Sequence, residues 1–307
     1  MATLTVKPEE ERRVKGLGFL SNKGTDNFSA RVITVNGKLS AKQMMCICEA
    51  SEKYGNGVIT FTSRQTVEVQ GIHIDNIDPF REYIAKEGLE VGGTGPKVRP
   101  IVSCKGTTCQ FGRIDTFAVS EEIHKRFYKG YRQVTLPHKF KIAVGGCPNN
   151  CVKPDLNDAG IIGQLVPVYK EELCRGCNKC AVEAACPMAA AKLSGGKLSI
   201  DKGICNNCGR CVGKCPFGAL SEGKQGYKLY LGGRWGKNVS IGKPLSRIFE
   251  SEEEVLSALE KVILLYRDKG NPGERFAVMI ERIGFDKVEE AILSDELYQR
   301  KEEILAK

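Results

Sequence analysis

The sequence lacks the features that define several common classes of protein. It has no run of about 18 uncharged apolar residues of the kind that crosses a bilayer. Its first residues, MATLTVKPEEERRVKGLGF, lack the apolar core of a secretory signal. There is no Gly-x-Gly-x-x-Gly dinucleotide fingerprint and no Lys/Arg run interleaved with aromatic residues. We therefore expect a cytoplasmic protein with no membrane span, no nucleic-acid surface and no NADH site of its own.

Cysteine, by contrast, is abundant, with 14 in 307 residues. In a reducing compartment this number favours metal binding over disulfides. Eight of the cysteines lie within Leu173–Pro216, in two successive runs. The second run reads Cys-x2-Cys-x2-Cys-x3-Cys-Pro, which is the bacterial iron–sulfur pattern, and the first has five residues instead of three before its last cysteine.

Two such runs in tandem resemble a two-cluster ferredoxin, in which the fourth cysteine of each run binds the other cluster. The pattern predicts one [4Fe–4S] cluster on Cys174, Cys177, Cys180 and Cys215, and another on Cys205, Cys208, Cys211 and Cys186. Zinc sites and disulfides are the alternatives. Zinc sites, however, usually have pairs of Cys-x2-Cys and not runs that end in Cys-Pro.

Four further cysteines occur as Cys104-x4-Cys109 and Cys147-x3-Cys151. Neither pair has the two-residue gap of a free-standing zinc knuckle. Four thiolates from two separate loops can hold a third [4Fe–4S] cluster, and zinc or free thiols are the alternatives.

The net charge of +9 comes from 46 Lys and Arg against 37 Asp and Glu. Clusters held by four thiolates are anionic and would offset much of this surplus. A buried anionic cofactor and an anionic substrate therefore explain the charge better than a nucleic acid does.

The pattern of apolar residues predicts an α+β protein. Ser40–Gln43 is typical of a capping box at the start of a helix, on which we expect Cys46 and Cys48 to lie in a core. Strands are predicted over residues 28–36, 57–72 and 226–236, helices over 41–54, 77–88, 120–129 and 252–269, and a charged leader over 1–25.

Several segments together resemble the sirohaem/[4Fe–4S] sulfite and nitrite reductase family. CKGTTC followed by GGCPNNC resembles its cluster motif, ITFTSRQTVEVQGI its sirohaem-contacting strand, and LPHKFK its lysine-bearing strand. YKLYLGGRWG and GERFAVMIERIG resemble its C-terminal segment. The resemblance covers about residues 28–285, and the layout is most similar to the anaerobic, NADH-linked members of the family.

The resemblance implies an α+β fold in which a sirohaem reductase core of ferredoxin-like α/β halves carries an inserted two-[4Fe–4S] ferredoxin domain. We expect an N-terminal ferredoxin-like half over residues 1–90, on the substrate and sirohaem side. The reductase domain should comprise residues 91–167 and 223–307, and the inserted ferredoxin residues 168–222.

The resemblance also implies the roles of individual residues. Cys151 matches the cysteine that bridges a cluster and the sirohaem iron, and Cys104, Cys109 and Cys147 complete that cluster. Substrate-binding cations are implied at Arg31, Arg99, Lys139 and Lys141, and sirohaem contacts at Thr62, Ser63, Arg64, Asn149, Asn150, Gly232, Gly233 and Arg234. Because Lys139 and Lys141 are two apart on a strand, both side chains should point to one face. His138 borders this strand as a proton relay or as a structural histidine.

Some positions depart from the family pattern. The family usually has Cys-x5-Cys where this chain has Cys104-x4-Cys109, which tightens that loop. Glu68 stands where a polar amide often contacts the cofactor.

The resemblance thus predicts the catalytic subunit of a sulfite reductase, with sirohaem and three [4Fe–4S] clusters as cofactors. It implies six-electron reduction of sulfite to sulfide, with electrons entering through the inserted ferredoxin clusters. Electron-donating flavoprotein and iron–sulfur subunits are the expected partners. Two alternatives are nitrite reduction to ammonia on the same cofactors, and a sirohaem-free iron–sulfur subunit that only transfers electrons.

Overall fold

The computed structural model describes residues 6–307, so that residues 1–5, the start of the predicted leader, lie outside the described residues. The chain divides into two compact units. The first comprises the chain up to Ser103 together with Ser120–Ala143 and Glu260–Lys307, and the second comprises Cys104–Val119 and Val144–Leu259. None of the helices within residues 6–307 is long and apolar enough to cross a membrane.

The N-terminal part of the first unit is an antiparallel sheet covered by helices. Its strands are β1 (Phe19–Ser21), β2 (Asn27–Val32), β3 (Ile59–Phe61) and β4 (Val67–His73), in the order β1-β2-β4-β3. Its helices are α1 (Pro8–Leu17), α2 (Ala41–Tyr54) and α3 (Ile77–Ala85). Buried side chains of both layers, among them Phe28, Val69 and Phe80, form its core. The capping box of α2 is confirmed, because Ser40 and Gln43 each accept the other's backbone N–H.

Three local predictions for this region are wrong. Pro8–Leu17 is a helix and not part of an irregular leader; Pro8 and three glutamates in its first turn favour that helix start. Residues 57–72 form two strands instead of one, because the chain turns at Gln65, whose φ is +58°. Cys46 is buried as expected, but Cys48 is exposed.

The rest of the first unit is mostly helical. A π-helix (His124–Lys129) follows α4 (Thr116–Ile123). The remaining helices are α7 (Phe276–Ile283), α8 (Phe285–Leu293), α9 (Glu296–Gln299) and α10 (Lys301–Ala306). The residues of α4 and of α6 (Glu252–Lys269) are divided between the two units. The Ser251 hydroxyl accepts the Glu254 N–H at 3.2 Å, which caps the start of α6.

The second unit is built around a sheet with the order β11-β10-β7-β6. Its strands are β6 (Ile142–Gly145), β7 (Ala159–Val168), β10 (Glu222–Leu231) and β11 (Lys243–Phe249), and the two-residue β5 (Val102–Ser103) precedes Cys104. Strand β11 was not predicted. The chain leaves this sheet at Val168 and returns at Glu222, which are register partners. The segment between them contains α5 (Ala181–Ala185), β8 (Ala191–Ser194) and β9 (Lys197–Ile200).

Candidate functional site

A pocket of about 350 Å³ in the first unit brings together all four residues predicted to bind substrate. Three residues predicted to contact sirohaem line it as well. These seven are Arg31, Arg99, Lys139, Lys141, Thr62, Ser63 and Arg64. No carboxylate lines the pocket within the described residues, so it is suited to an anion.

Arg31 projects from β2 and forms an ion pair with Glu68, its register partner on β4. The Arg31 Nη2 lies 3.1 Å from Glu68 Oε2, and the two side chains are 22% and 19% exposed. The Nε of Arg31 is buried and has no hydrogen-bond partner within residues 6–307. Glu68 therefore neutralises part of the Arg31 charge while one donor remains available.

Arg99 and the two lysines lie on neighbouring extended segments. The Arg99 N–H donates to the Phe140 carbonyl at 2.8 Å, and the Phe140 side chain is fully buried. Since side chains alternate along an extended segment, Lys139 and Lys141 flank Phe140 and both reach the pocket. This agrees with the predicted common face of the two lysines.

The Arg99 guanidinium is enclosed by the protein. It donates to the Gly93 carbonyl, whereas its Nε has no partner in the described part of the chain. Burial, together with the nearby charges of Arg31 and Arg275, lowers the pKa of Arg99 to about 10. Arg99 thus stays charged at neutral pH, but the neighbouring cations destabilise its charged form. A bound anion would offset this repulsion, which is the arrangement expected of an anion-binding site.

The turn between β3 and β4 positions Thr62, Ser63 and Arg64. The Thr62 and Thr66 hydroxyls are 2.6 Å apart, and the Arg64 N–H donates to Thr62 Oγ1 at 3.2 Å. The Arg64 guanidinium donates to the carbonyls of Pro100 and Ile142. Arg64 therefore lines the pocket and also stabilises it by hydrogen bonds to the backbone of neighbouring segments.

His138 is a half-buried neighbour of the lysine strand. Its Nδ1 accepts the Lys139 N–H at 2.7 Å. Burial and the nearby Arg275, Lys139 and Arg99 lower the pKa of His138, so the ring is neutral at neutral pH. This backbone contact fits a structural histidine.

Two further pocket residues, Lys15 and Thr94, carry no signal in the sequence. Lys15 belongs to the segment predicted as a leader, and the Thr94 hydroxyl donates to its carbonyl at 2.6 Å. Only the fold brings them to the pocket, because neither forms part of a local motif.

In the second unit, Cys104, Cys109, Cys147 and Cys151 come together. Burial raises the pKa of Cys147, the Asn149 N–H lowers it, and the neighbouring Cys104, Cys151 and Cys109 thiols raise it again. The Gly146 N–H donates to the Cys104 sulfur at 3.1 Å. Such N–H···S contacts stabilise thiolates and tune iron–sulfur clusters.

Two glycines allow the loops that carry these cysteines to touch. A β-carbon on Gly106 would lie 2.9 Å from the Gly146 Cα, and one on Gly146 would lie 2.8 Å from the Gly106 Cα. Both distances are below any normal contact, so a side chain at either position would push the loops apart.

The ferredoxin-like runs also form groups of thiols. Burial and the nearby thiols of Cys205, Cys208 and Cys186 raise the pKa of Cys211 to about 11, although a backbone N–H opposes this. Cys186 therefore lies with the three cysteines of the second run. The nearby Tyr169 hydroxyl and the Gly176 and Leu198 N–H groups lower the pKa of Cys174. Five cysteines from both runs pack against one small core of Val182, Ala191, Leu198 and Leu220; they are Cys174, Cys180, Cys186, Cys211 and Cys215.

Between residues 6 and 307, no three Cys, His, Asp or Glu side chains are close enough to ligate one bare metal ion. The Cys147 and Cys211 thiols are nevertheless close enough to neighbouring cysteines for these to raise their pKa values.

Arg113 joins two of these thiol groups. Its backbone N–H donates to the Gly146 carbonyl at 2.8 Å, next to Cys147, and its Nε donates to the Cys208 carbonyl at 3.0 Å. The sequence marked no role for Arg113, since its partners are distant in the chain.

The other predicted sirohaem contacts lie in the second unit. Asn150, with φ +57°, donates from its amide to Asp155 Oδ1 at 2.8 Å, and its own Oδ1 is buried with no partner in the described range. Gly232 and Gly233 are buried, Arg234 is half-buried and Cys151 is exposed. Asn149 contributes the N–H that bonds to Cys147.

Comparison with known families now identifies the class. Residues 94–301 match the nitrite and sulphite reductase 4Fe-4S domain, and residues 21–87 match the nitrite/sulfite reductase ferredoxin-like half domain. These matches define an iron–sulfur oxidoreductase. Because the first match covers more than half of the 307 residues, the chain belongs to the nitrite and sulfite reductase family. The predicted family and α+β fold class are confirmed.

Individual relatives are sulfite reductases. The chain is 32% identical over 249 residues to the coenzyme F420-dependent sulfite reductase of Methanocaldococcus jannaschii, covering 80% of this chain and 39% of that protein. It therefore spans well under half of that relative. It is 30% identical over 308 residues to a subunit of the anaerobic sulfite reductase of Salmonella typhimurium, covering 88% of each chain.

The crystal structure of dissimilatory sulfite reductase I is similar in fold. It superposes with a TM-score of 0.69 at 22% identity, over 87% of this chain and 69% of that one.

Proposed function

We propose that this chain is the catalytic subunit of a sirohaem-dependent sulfite reductase. The observation that carries the proposal is the pocket in which Arg31, Arg99, Lys139 and Lys141 converge without a carboxylate on its wall among the described residues. An electron-transfer subunit needs no such pocket. Sulfite is a small dianion, and four cations supply the complementary charge.

The residues present fit the proposed cofactors. Sirohaem carries several carboxylates, and the pocket that Thr62, Ser63 and Arg64 line presents cations and no carboxylate among residues 6–307. The cysteine groups receive backbone N–H bonds, as iron–sulfur ligands do. When bound, sirohaem and three [4Fe–4S] clusters would supply the electrons for reduction of sulfite to sulfide.

The cations of the pocket have two tasks in this reaction. Six electrons and six protons convert one sulfite dianion to one sulfide dianion and three waters. The planar guanidinium groups of Arg31 and Arg99 can hold two sulfite oxygens by paired N–H donors. Lys139 and Lys141 can donate protons to oxygens that leave as water.

We further propose that segment 168–222 is an inserted ferredoxin domain through which electrons enter from a flavoprotein or iron–sulfur partner. The register partnership of Val168 and Glu222 supports an insertion, because the sheet is continuous without the segment. The hydrogen bonds of Arg113 support electron transfer onward, because they fix the Cys208 loop against the Cys147 loop.

The test is a visible spectrum and iron determination of the anaerobically purified chain, followed by turnover with a reduced dye. We expect sirohaem bands, about thirteen irons per chain from three cubes and one haem iron, and sulfide formation from sulfite. Iron–sulfur absorption without sirohaem bands would contradict the proposal. Faster turnover of nitrite than of sulfite would reassign the substrate.

A further inference from the structure

The hairpin that joins β10 to β11 exposes an unusual set of side chains. Trp235, Val239 and Ile241 are 63%, 56% and 69% exposed. Residues 232–243, GGRWGKNVSIGK, also contain three cations and no carboxylate. An apolar tip flanked by positive charge suits a ligand that is apolar in its centre and anionic at its edge.

Backbone hydrogen bonds hold this hairpin in shape. Arg234 and Ser240 exchange N–H···O bonds of 2.8 and 2.9 Å, and the Arg234 Nε donates to the Asn238 carbonyl at 3.1 Å. The tip is therefore exposed although the loop is ordered by its own contacts.

The hairpin is also fixed to the loop that carries Cys151. The Gly242 N–H donates to the Asp155 carbonyl at 2.7 Å, and a β-carbon on Gly233 would lie 2.3 Å from the same oxygen. The Asp155 carboxylate accepts the Asn150 amide at 2.8 Å. Asp155 thus links the hairpin to the residue that precedes the exposed Cys151.

We propose that this hairpin is part of the cofactor site, where Trp235, Val239 and Ile241 cover the apolar ring of a polycarboxylated tetrapyrrole. Arg234 and Lys237 bind its carboxylates. The inference rests on the proposed function, which supplies the tetrapyrrole, but assigns it residues that the family resemblance did not: Trp235, Lys237, Val239 and Ile241.

A protein partner fits the hairpin less well. The exposed parts of the three apolar side chains amount to roughly 300–400 Å², about half of the ~800 Å² that each partner contributes to a standard interface. The contacts through Asp155 also hold the hairpin next to the loop that carries Cys151. This arrangement favours a ligand that contacts the hairpin and that loop at the same time.

The test uses Trp235 as its own reporter, because the chain has one tryptophan. Two forms of the full chain, both with their clusters, are compared with and without sirohaem. We expect the bimolecular rate constant of acrylamide quenching, obtained by dividing the quenching constant by the fluorescence lifetime, to fall at least about threefold in the sirohaem form, since contact with the ring shields the indole.

Variants supply a second readout. Trp235→Ala should release sirohaem about tenfold faster than wild type, because it loses a buried aromatic contact. Trp235→Phe should stay close to wild type, as should Leu293→Ala, which removes an exposed apolar side chain from α8.

The outcomes separate the two proposals. If the chain binds one sirohaem but acrylamide reaches Trp235 with the same rate constant in both forms, the hairpin inference is overturned and the proposed function stands. If the chain binds no sirohaem at all, both are overturned. Because the quenching comparison uses wild-type protein, it decides the matter even if Trp235→Ala fails to fold.

Discussion

The two compact units present opposite chemistry. The first unit offers cations that converge on one pocket, whereas the second offers thiols that receive N–H bonds from nearby backbone. In the pocket, Arg31, Arg99 and Lys141 come from distant segments of the chain. In the second unit, each run of cysteines spans a few residues, and two such segments meet to form a group. The sequence therefore marks the parts of a cysteine group by spacing, whereas the pocket cations carry no such local mark.

The largest expected effect comes from removing a ligand of the second unit. Cys147→Ser removes a sulfur that lies near the thiols of Cys104, Cys109 and Cys151, so the chain should lose about four irons. Sulfite turnover should fall by a factor on the order of 10³ or more, because the redox centres act as a unit. Iron determination and dye-linked turnover measure both.

The control for this variant is Cys48→Ser, which changes an exposed cysteine on α2. It should leave iron content and turnover unchanged. If Cys147→Ser kept its full iron content, Cys147 would not be a cluster ligand.

The next effect should be confined to the pocket of the first unit. Lys141→Met removes one cation and one proton donor, so kcat/KM for sulfite should fall about 10²-fold. Iron content and the cluster spectrum should not change. Lys23→Met, at an exposed lysine between β1 and β2, is the matched control. A loss of iron in Lys141→Met would mean that pocket and clusters are not separable.

A smaller change should follow from Glu68→Gln. The variant removes the negative charge 3.1 Å from Arg31, so the pocket gains net positive charge and KM for sulfite should fall about threefold to tenfold. Steady-state kinetics and titration with sulfite give the comparison, with Glu121→Gln at the exposed Lys38 pair as control. A higher KM would show that Glu68 acts mainly by orienting Arg31.

The smallest effect on activity is expected for Asp268→Asn, which tests stability alone. The Asp268 side chain is 1% exposed and pairs with Lys269, Arg300 and Lys307. Burial would raise its pKa, but these cations outweigh burial and lower it. The variant should lose about 1–3 kcal/mol of unfolding free energy at pH 7 while the cluster spectrum of the second unit persists.

The pH dependence of that loss has a defined sign. A depressed carboxyl pKa stabilises the fold above the unfolded value of about 3.9 and ceases to do so as pH falls through the folded value. The difference between wild type and Asp268→Asn in chemical denaturation should therefore shrink below about pH 4. Glu281→Gln, at an exposed carboxylate on α7, should leave stability nearly unchanged. If the difference in unfolding free energy between wild type and Asp268→Asn persisted at pH 3, the loss would be due to packing and not to charge.

The two units also differ in how much of each could be predicted from the sequence. The spacing of Cys205, Cys208 and Cys211 marks a cluster run without any knowledge of the fold. The pocket cations were accessible only through the family resemblance, because single arginines and lysines are usually surface charges. The Arg31–Glu68 pair and the Arg113 contacts were missed, since they depend on strand register and on loops far apart in the chain. Cys48 was misplaced because helical spacing near a core does not fix which face is buried.

The contact between Gly106 and Gly146 limits which residues these two positions can hold. The two cysteine loops approach each other so closely there that neither glycine has room for a β-carbon. Alanine is the smallest replacement, and even its methyl group would have to displace the opposite loop. Neither glycine carries a reactive group, yet both are required for Cys104 and Cys147 to lie near each other.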